Sequence, residues 1–298
     1  MADIGTGRNF QTNANARQPA MSTLCWPYLH GFLTVAGQTA PIEIDKAYDM
    51  QKLVMRSVDL YSAGTEFQSG LFFSWQRFVM GLLLVTSVLF VMFPSLDLAV
   101  TRYFAHGSTF PLSQNGVLIA VRDVNRRLFI YVLLGVAAMA LLHAYRPRRY
   151  AVCEPHKCLF VLLTFLAGPL ITVQALKLLI GRARPRSLLE FGGTADFTPV
   201  WQFAAQCGHS CSFPSGEAAT AAALLSVLVL VPANWRQRCA TILLPILILV
   251  SLNRVVFGAH FLSDVVIAWG LMLWVMNVLW RFISNRSEAI DRAMSLRR

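Results

Sequence analysis

Long apolar runs separated by short polar connectors dominate the chain from about residue 75 onward. Six of them approach the ~20 residues needed to cross the hydrocarbon of a bilayer: Phe78–Leu96, Leu128–Tyr145, Leu159–Ile180, Ala218–Ala233, Ala240–Val256 and Val265–Ile283. Segments this apolar are expected to be helices, because a helix satisfies its own backbone in lipid. The fourth run is short and alanine-rich, which suits close helix packing. Trp75, Trp235 and Trp280 fall near proposed helix ends, where amphipathic rings favour the interface. Ahead of these runs, residues 1–44 are polar and read as a largely disordered tail. Residues 45–76 carry Met50, Leu53, Val54, Val58 and Tyr61 at helical spacing, which predicts an amphipathic helix lying on the membrane or packed on the bundle. The expected organisation is all-α: a polytopic six-helix membrane domain over 77–283, followed by a basic tail over 284–298.

Composition supports a membrane protein. The chain is 56% hydrophobic and only 14% charged, where soluble domains carry about a quarter charged residues. A formal net charge of +11 raises the question of nucleic acid. The basic residues form no single patch, however, so no nucleic-acid partner is expected. They cluster in connectors and at the C-terminus: Arg146, Arg148, Arg149 and Lys157; Arg236 and Arg238; then Arg281, Arg286, Arg292, Arg297 and Arg298. With six spans, these three groups share one side. The positive-inside rule makes that side, and both termini, cytoplasmic. Arg122, Arg126 and Arg127 run against the rule in the connector Pro94–Arg127. No cleavable signal peptide is expected, because the first apolar run comes late. Of the six cysteines, Cys207 and Cys211 share an outward segment. A disulfide and two free thiols are both open there, since a four-residue helical spacing is awkward to bridge. No pair of CxxC units signals zinc.

Three stretches carry chemistry. In Lys177–Pro185, a seven-residue step puts Lys177 and Arg184 on one helical face near the outer mouth. Two cations there suit a phosphate, though a basic flank snorkelling toward headgroups gives the same pattern. In Phe213–Glu217, Ser215 is a natural N-cap, and Gly216 lets a ligand approach the amides of a helix start. An ordinary cap needs no more than this. In Asn253–Asp264, His260 and Asp264 are four apart with Arg254 upstream. On a helix the carboxylate would accept the imidazole Nδ1–H and leave Nε2 free to attack; a satisfied polar pair at a helix interface is the plainer alternative. All three stretches fall at the same predicted membrane face.

Together they resemble the type 2 phosphatidic acid phosphatase superfamily, whose fold is shared with vanadium haloperoxidases. That family's pattern is Lys, six residues, Arg-Pro; then Pro-Ser-Gly-His; then Ser-Arg, five residues, His, three residues, Asp. Lys177 to Pro185 fits in full. Arg254, His260 and Asp264 fit at the right spacing, with Asn253 replacing Ser. The resemblance implies that His260 is a nucleophile forming a phosphohistidine and that Asp264 orients it. Lys177, Arg184, Ser215, Gly216 and Arg254 would hold the phosphoryl oxygens, with no metal or other cofactor. The implied protein is a lipid phosphatase of a bacterial inner membrane, its site periplasmic, its substrate a lipid A-type, undecaprenyl diphosphate or phosphatidate-type lipid.

One position departs from the pattern. Glu217 stands where the family has the histidine that protonates the leaving group. A glutamate donates only if its proton affinity is raised; the helix N-terminus opposes that and a bound phosphate dianion favours it. His209 is a second candidate acid, and a good leaving group needs none. Two other readings stay open: a silent lipid-phosphate-binding protein and a lipid phosphotransferase. A transporter fits less well, because its charges belong near the midplane. Oligomeric state has no signature in the chain.

Overall fold

The computed structural model describes residues 75–145, 154–208 and 210–294. The predicted tail and amphipathic helix lie outside the described residues, as does His209. The helices are α1 (Trp75–Met92), α2 (Ser95–Phe104), α3 (Gly116–Tyr145), α4 (Pro155–Phe165), α5 (Val173–Ile180), α6 (Gly216–Leu224), α7 (Ala233–Val256), α8 (Leu262–Ser284) and α9 (Ser287–Met294). A π-helical turn, Leu166–Thr172, joins α4 to α5, and a 3₁₀ stretch, Leu225–Leu230, extends α6.

Among the described residues, five rods are long and apolar enough to cross a membrane: α1, α3, the α4–α5 rod, α7 and α8. The predicted fourth span is the shorter apolar helix Gly216–Leu230. Its alanines explain its place. Ala218, Ala219, Ala221, Ala222 and Ala223 are fully buried, so α6 sits close against α7 and α8 at the centre of the bundle. The outer rods do the opposite. Leu84 and Met92 on α1, Tyr131 and Leu141 on α3, and Ile242 and Leu249 on α7 are exposed. So wide an apolar surface fits lipid rather than water.

Two helices begin well before the hydrophobic pattern predicts, by more than a full turn. α3 starts at Gly116, with the Asn115 Oδ1 accepting from the amides of Val117 and Leu118. Arg122, Asp123, Arg126 and Arg127 are therefore helical, and the supposed connector Pro94–Arg127 also contains α2. α7 starts at Ala233, so Arg236 and Arg238 lie on its first turns rather than in a connector. Charge hid these turns because hydropathy stops where Arg begins, while the helix continues.

The π turn follows from Pro169, which lacks an N–H and disrupts the regular hydrogen-bond ladder. The Thr172 hydroxyl donates to the Ala167 carbonyl at 2.7 Å within it. α5 then ends at Gly181, whose left-handed φ of 61° turns the chain across the end of the bundle.

Candidate functional site

The residues singled out in the sequence converge at the end of the bundle where α5 stops and α6 and α8 begin. Ser215 caps α6: its Oγ accepts from the Ala218 amide at 3.3 Å, and its own amide donates to the Asp264 carbonyl at 3.1 Å. A Cβ on Gly216 would stand 3.6 Å from the Lys177 Nζ, so the ammonium of α5 lies beside the first residue of α6. Among the described residues the Lys177 ammonium has no hydrogen-bond partner, while its carbonyl accepts from the Gly181 amide at 3.1 Å.

Arg254 ends α7, buried, with its Nε 3.0 Å from Glu217 Oε2. Its Nη1 is buried without a hydrogen-bond partner among the described residues. Such a donor is costly unless an anion takes it. Arg184 lies beyond Gly181, its Nε donating to the Ser210 carbonyl at 2.7 Å. Arg254 feels the charges of Arg184 and Glu217, and His260 feels those of Lys177 and Arg254. The cations thus lie within electrostatic reach of one another at this end of the bundle. Asn253, in place of the expected Ser, donates from Nδ2 to the Leu118 carbonyl at 2.9 Å and ties α7 to α3.

His260 is not on the helix of Asp264. It ends a turn that Gly258 makes with φ 59°, and a Cβ on Gly258 would strike the Phe110 ring. The expected Nδ1–carboxylate hydrogen bond is replaced by another. His260 Nδ1 is 2.7 Å from the Ser212 carbonyl and 3.8 Å from Asp264 Oδ2. A carbonyl only accepts, so Nδ1 carries the proton and the lone pair is left on Nε2. Burial pushes the imidazole below the ordinary histidine range, against the opposing pull of Asp264. Asp264 itself accepts from the Ser212 hydroxyl at 2.5 Å, the Phe261 amide at 2.8 Å and the Arg182 Nη1 at 2.6 Å.

Glu217 occupies the first turn of α6. Its Oε1 accepts from Arg126 Nη2 at 2.5 Å and Nε at 3.0 Å, while Oε2 faces Arg254. Arg126 reaches it from α3. A cavity of about 450 Å³ opens beside this pair. Arg126, Glu217 and Gly216 line its polar end, and Phe129, Leu162 and Leu170 are among the apolar residues lining the rest.

Cys207 and Cys211 form a disulfide with Cα atoms 5.5 Å apart. The segment is not helical, which removes the geometric objection to bridging a four-residue spacing. Among the described residues, no group of three or more His, Cys, Asp or Glu is placed to hold a metal ion.

Sequence reasoning missed Asp97, Arg126, Arg182, Ser212 and Ser263 as site neighbours. The one available signal for Asp97 was an acidic residue at the edge of an apolar run.

The sequence matches the PAP2 superfamily over residues 157–288. It is 36% identical over 167 residues to a lipid A 4'-phosphatase of Rhizobium leguminosarum, covering 54% of this chain and 72% of that one. It is 32% identical over 203 residues to a lipid A 4'-phosphatase of Rhizobium etli, covering 63% and 79%. Among solved structures, a transmembrane PAP2 type phosphatidylglycerolphosphate phosphatase from Bacillus subtilis aligns with a TM-score of 0.49 at 19% identity, over 70% of this chain and 96% of that one.

Proposed function

The chain belongs to the PAP2 superfamily of membrane phosphatases, and from that premise we propose that it hydrolyses the phosphate monoester of a lipid A-type membrane lipid through a phosphohistidine on His260. The observation that carries this reading is the orientation of His260. Its Nδ1–H is committed to the Ser212 carbonyl, which leaves the Nε2 lone pair available for attack, and the charges of Lys177 and Arg254 bear on the ring.

In the proposed reaction the phosphoryl oxygens take the free donor of Arg254, the Lys177 ammonium, the Arg184 guanidinium, the Ser215 hydroxyl and the Gly216 amide at the α6 N-terminus. Nε2 attacks phosphorus and the bond to the lipid oxygen breaks. Charge building on the equatorial oxygens meets fixed cations, the main source of acceleration in phosphoryl transfer. Water then attacks the phosphohistidine, releasing inorganic phosphate and restoring the imidazole. A lipid hydroxyl in place of water would make the same intermediate serve phosphotransfer.

Glu217 is the proposed proton donor to the departing lipid oxygen. Its carboxylate is paired with Arg126 and Arg254. A bound phosphate dianion competes with this carboxylate for Arg254. The same pairing also favours a second reading, a silent lipid-phosphate-binding protein in which Glu217 merely neutralises two arginines.

The apolar part of the cavity beside Arg126 and Glu217 suits the acyl portion of the substrate. A periplasmic site agrees with the charge layout. His260 lies near the far end of α7 from Arg236 and Arg238, and near the far end of α8 from Arg281.

Phosphate release from a panel of lipid phosphates by the purified protein, with vanadate as inhibitor, tests the proposal. Release from lipid A supports it; binding without release from any member of the panel supports the silent reading.

A further inference from the structure

Behind His260 lies a buried polar assembly centred on Arg182 and Asp97, neither of which belongs to the proposed phosphate cup. Arg182 is completely buried, and each of its three guanidinium nitrogens donates a hydrogen bond. Nε donates to the Thr198 carbonyl at 2.8 Å. Nη1 donates to Asp264 Oδ1 at 2.6 Å and the Ser263 hydroxyl at 2.9 Å. Nη2 donates to Asp97 Oδ2 at 2.9 Å. The plane rests on the Phe261 ring at 4.1 Å. Asp97, on α2, also accepts from the Ser263 amide at 2.9 Å and the Ser263 hydroxyl at 2.5 Å. The Arg182 carbonyl, in turn, accepts from the Ser212 amide at 2.8 Å.

Arg182 therefore grips both groups that bear on His260: Ser212 through its backbone, and Asp264 through its side chain. We propose that Asp97 and Arg182 are positioning residues that hold His260 in a single tautomer and orientation through Ser212 and Asp264. The physical reason is charge. One guanidinium is shared between two buried carboxylates, and in a dry interior each member fixes the others because an unpaired partner is costly. Removing the Asp97 charge ends that sharing. Arg182 is then drawn wholly to Asp264 and Ser263, the Asp264 carboxylate shifts, and the Ser212 hydroxyl and carbonyl shift with it. A simple brace between α2 and α8 would affect stability alone.

This inference rests on the proposed role of His260, and its test reads both turnover and the ring itself. Steady-state kinetics on Asp97→Asn are expected to show kcat reduced about 10- to 100-fold with KM within about twofold, since neither residue meets the phosphate. In an Asp264→Asn background the same change should reduce kcat by less than about threefold, because the route through Asp264 is already lost. ¹⁵N spectra of histidine-labelled full-length protein in detergent should show one Nδ1–H tautomer for His260 in wild type and a mixture in Asp97→Asn. Ser263→Ala, a smaller lesion, serves if Asp97→Asn fails to fold and should give the same signature more weakly. A folded variant with wild-type kcat and an unchanged His260 tautomer would overturn the proposal, as would an equal loss in the Asp264→Asn background. If wild type releases no phosphate yet the tautomer still breaks down in Asp97→Asn, the positioning role stands and the phosphatase reading fails.

Discussion

The Nδ1 of His260 lies 2.7 Å from the carbonyl of Ser212, while the Asp264 carboxylate stands off at 3.8 Å and takes the Ser212 hydroxyl instead. Asp264 thus bears on the ring mainly through Ser212. Ser212→Ala keeps the carbonyl but frees the carboxylate, and should lower kcat by about tenfold, the value of one hydrogen bond to a charged group. Asp264→Asn should cost at least about 100-fold, since it also removes one of the two carboxylates that hold Arg182. Kinetics on folded protein check the order; a Ser212→Ala loss equal to or greater than that of Asp264→Asn would contradict it.

Glu217 as proton donor predicts dependence on the leaving group. Glu217→Gln should lower kcat on an alkyl phosphate by about 100-fold or more, while a nitrophenyl phosphate, whose leaving group departs without a proton, is nearly spared. Equal losses on both substrates would assign Glu217 to holding Arg126 and Arg254 instead.

The pH dependence follows from the burial of His260. Nε2 attacks only as neutral imidazole, and protonation removes the lone pair. Burial together with Lys177 and Arg254 pushes the group below its ordinary value of 6.5, while Asp264 pulls the other way without cancelling them. Activity is therefore present above the shifted value and lost as pH falls through it. The acid limb of kcat/KM should have its midpoint below 6.5; a midpoint above 6.5 assigned to His260 would contradict this account.

The fold was legible wherever hydropathy and spacing agree. α8 belongs here, since it is set by local periodicity. The Lys177–Arg184 step does not, because the helix of Lys177 ends at Ile180, Gly181 turns the chain, and Arg184 stands on extended backbone rather than on the predicted helical face. The site was legible in residue type but not in bonding. His260 and Asp264 look like helical neighbours in sequence, yet the turn at Gly258 sets the imidazole off the helix, and its partner is Ser212, 48 positions away. Asp97 reaches Ser263 across 166 positions, and Arg126 reaches Glu217 across 91. No local pattern encodes such contacts. Arg126 was further disguised as connector charge, because hydropathy does not register a helix whose first turns are polar.

The Cys207–Cys211 bridge closes a short loop directly before Ser212 and encloses Ser210, whose carbonyl holds Arg184. Opening it should loosen both Arg184 and the Ser212 carbonyl that holds His260. Cys207→Ser/Cys211→Ser should raise KM and lower kcat, each by several-fold. A mass shift on reduction and alkylation verifies the bridge in the purified protein. Unchanged kinetics in the double variant would show that the loop holds its shape without it.

The central claim is covalent chemistry at His260. Rapid acid-free quenching of the purified protein with a labelled lipid phosphate, followed by peptide mass spectrometry, tests it most directly. The account predicts a phosphoryl group on the His260 imidazole, absent in His260→Ala, which should also release no phosphate. Label on another residue, or wild-type release by His260→Ala, would contradict it.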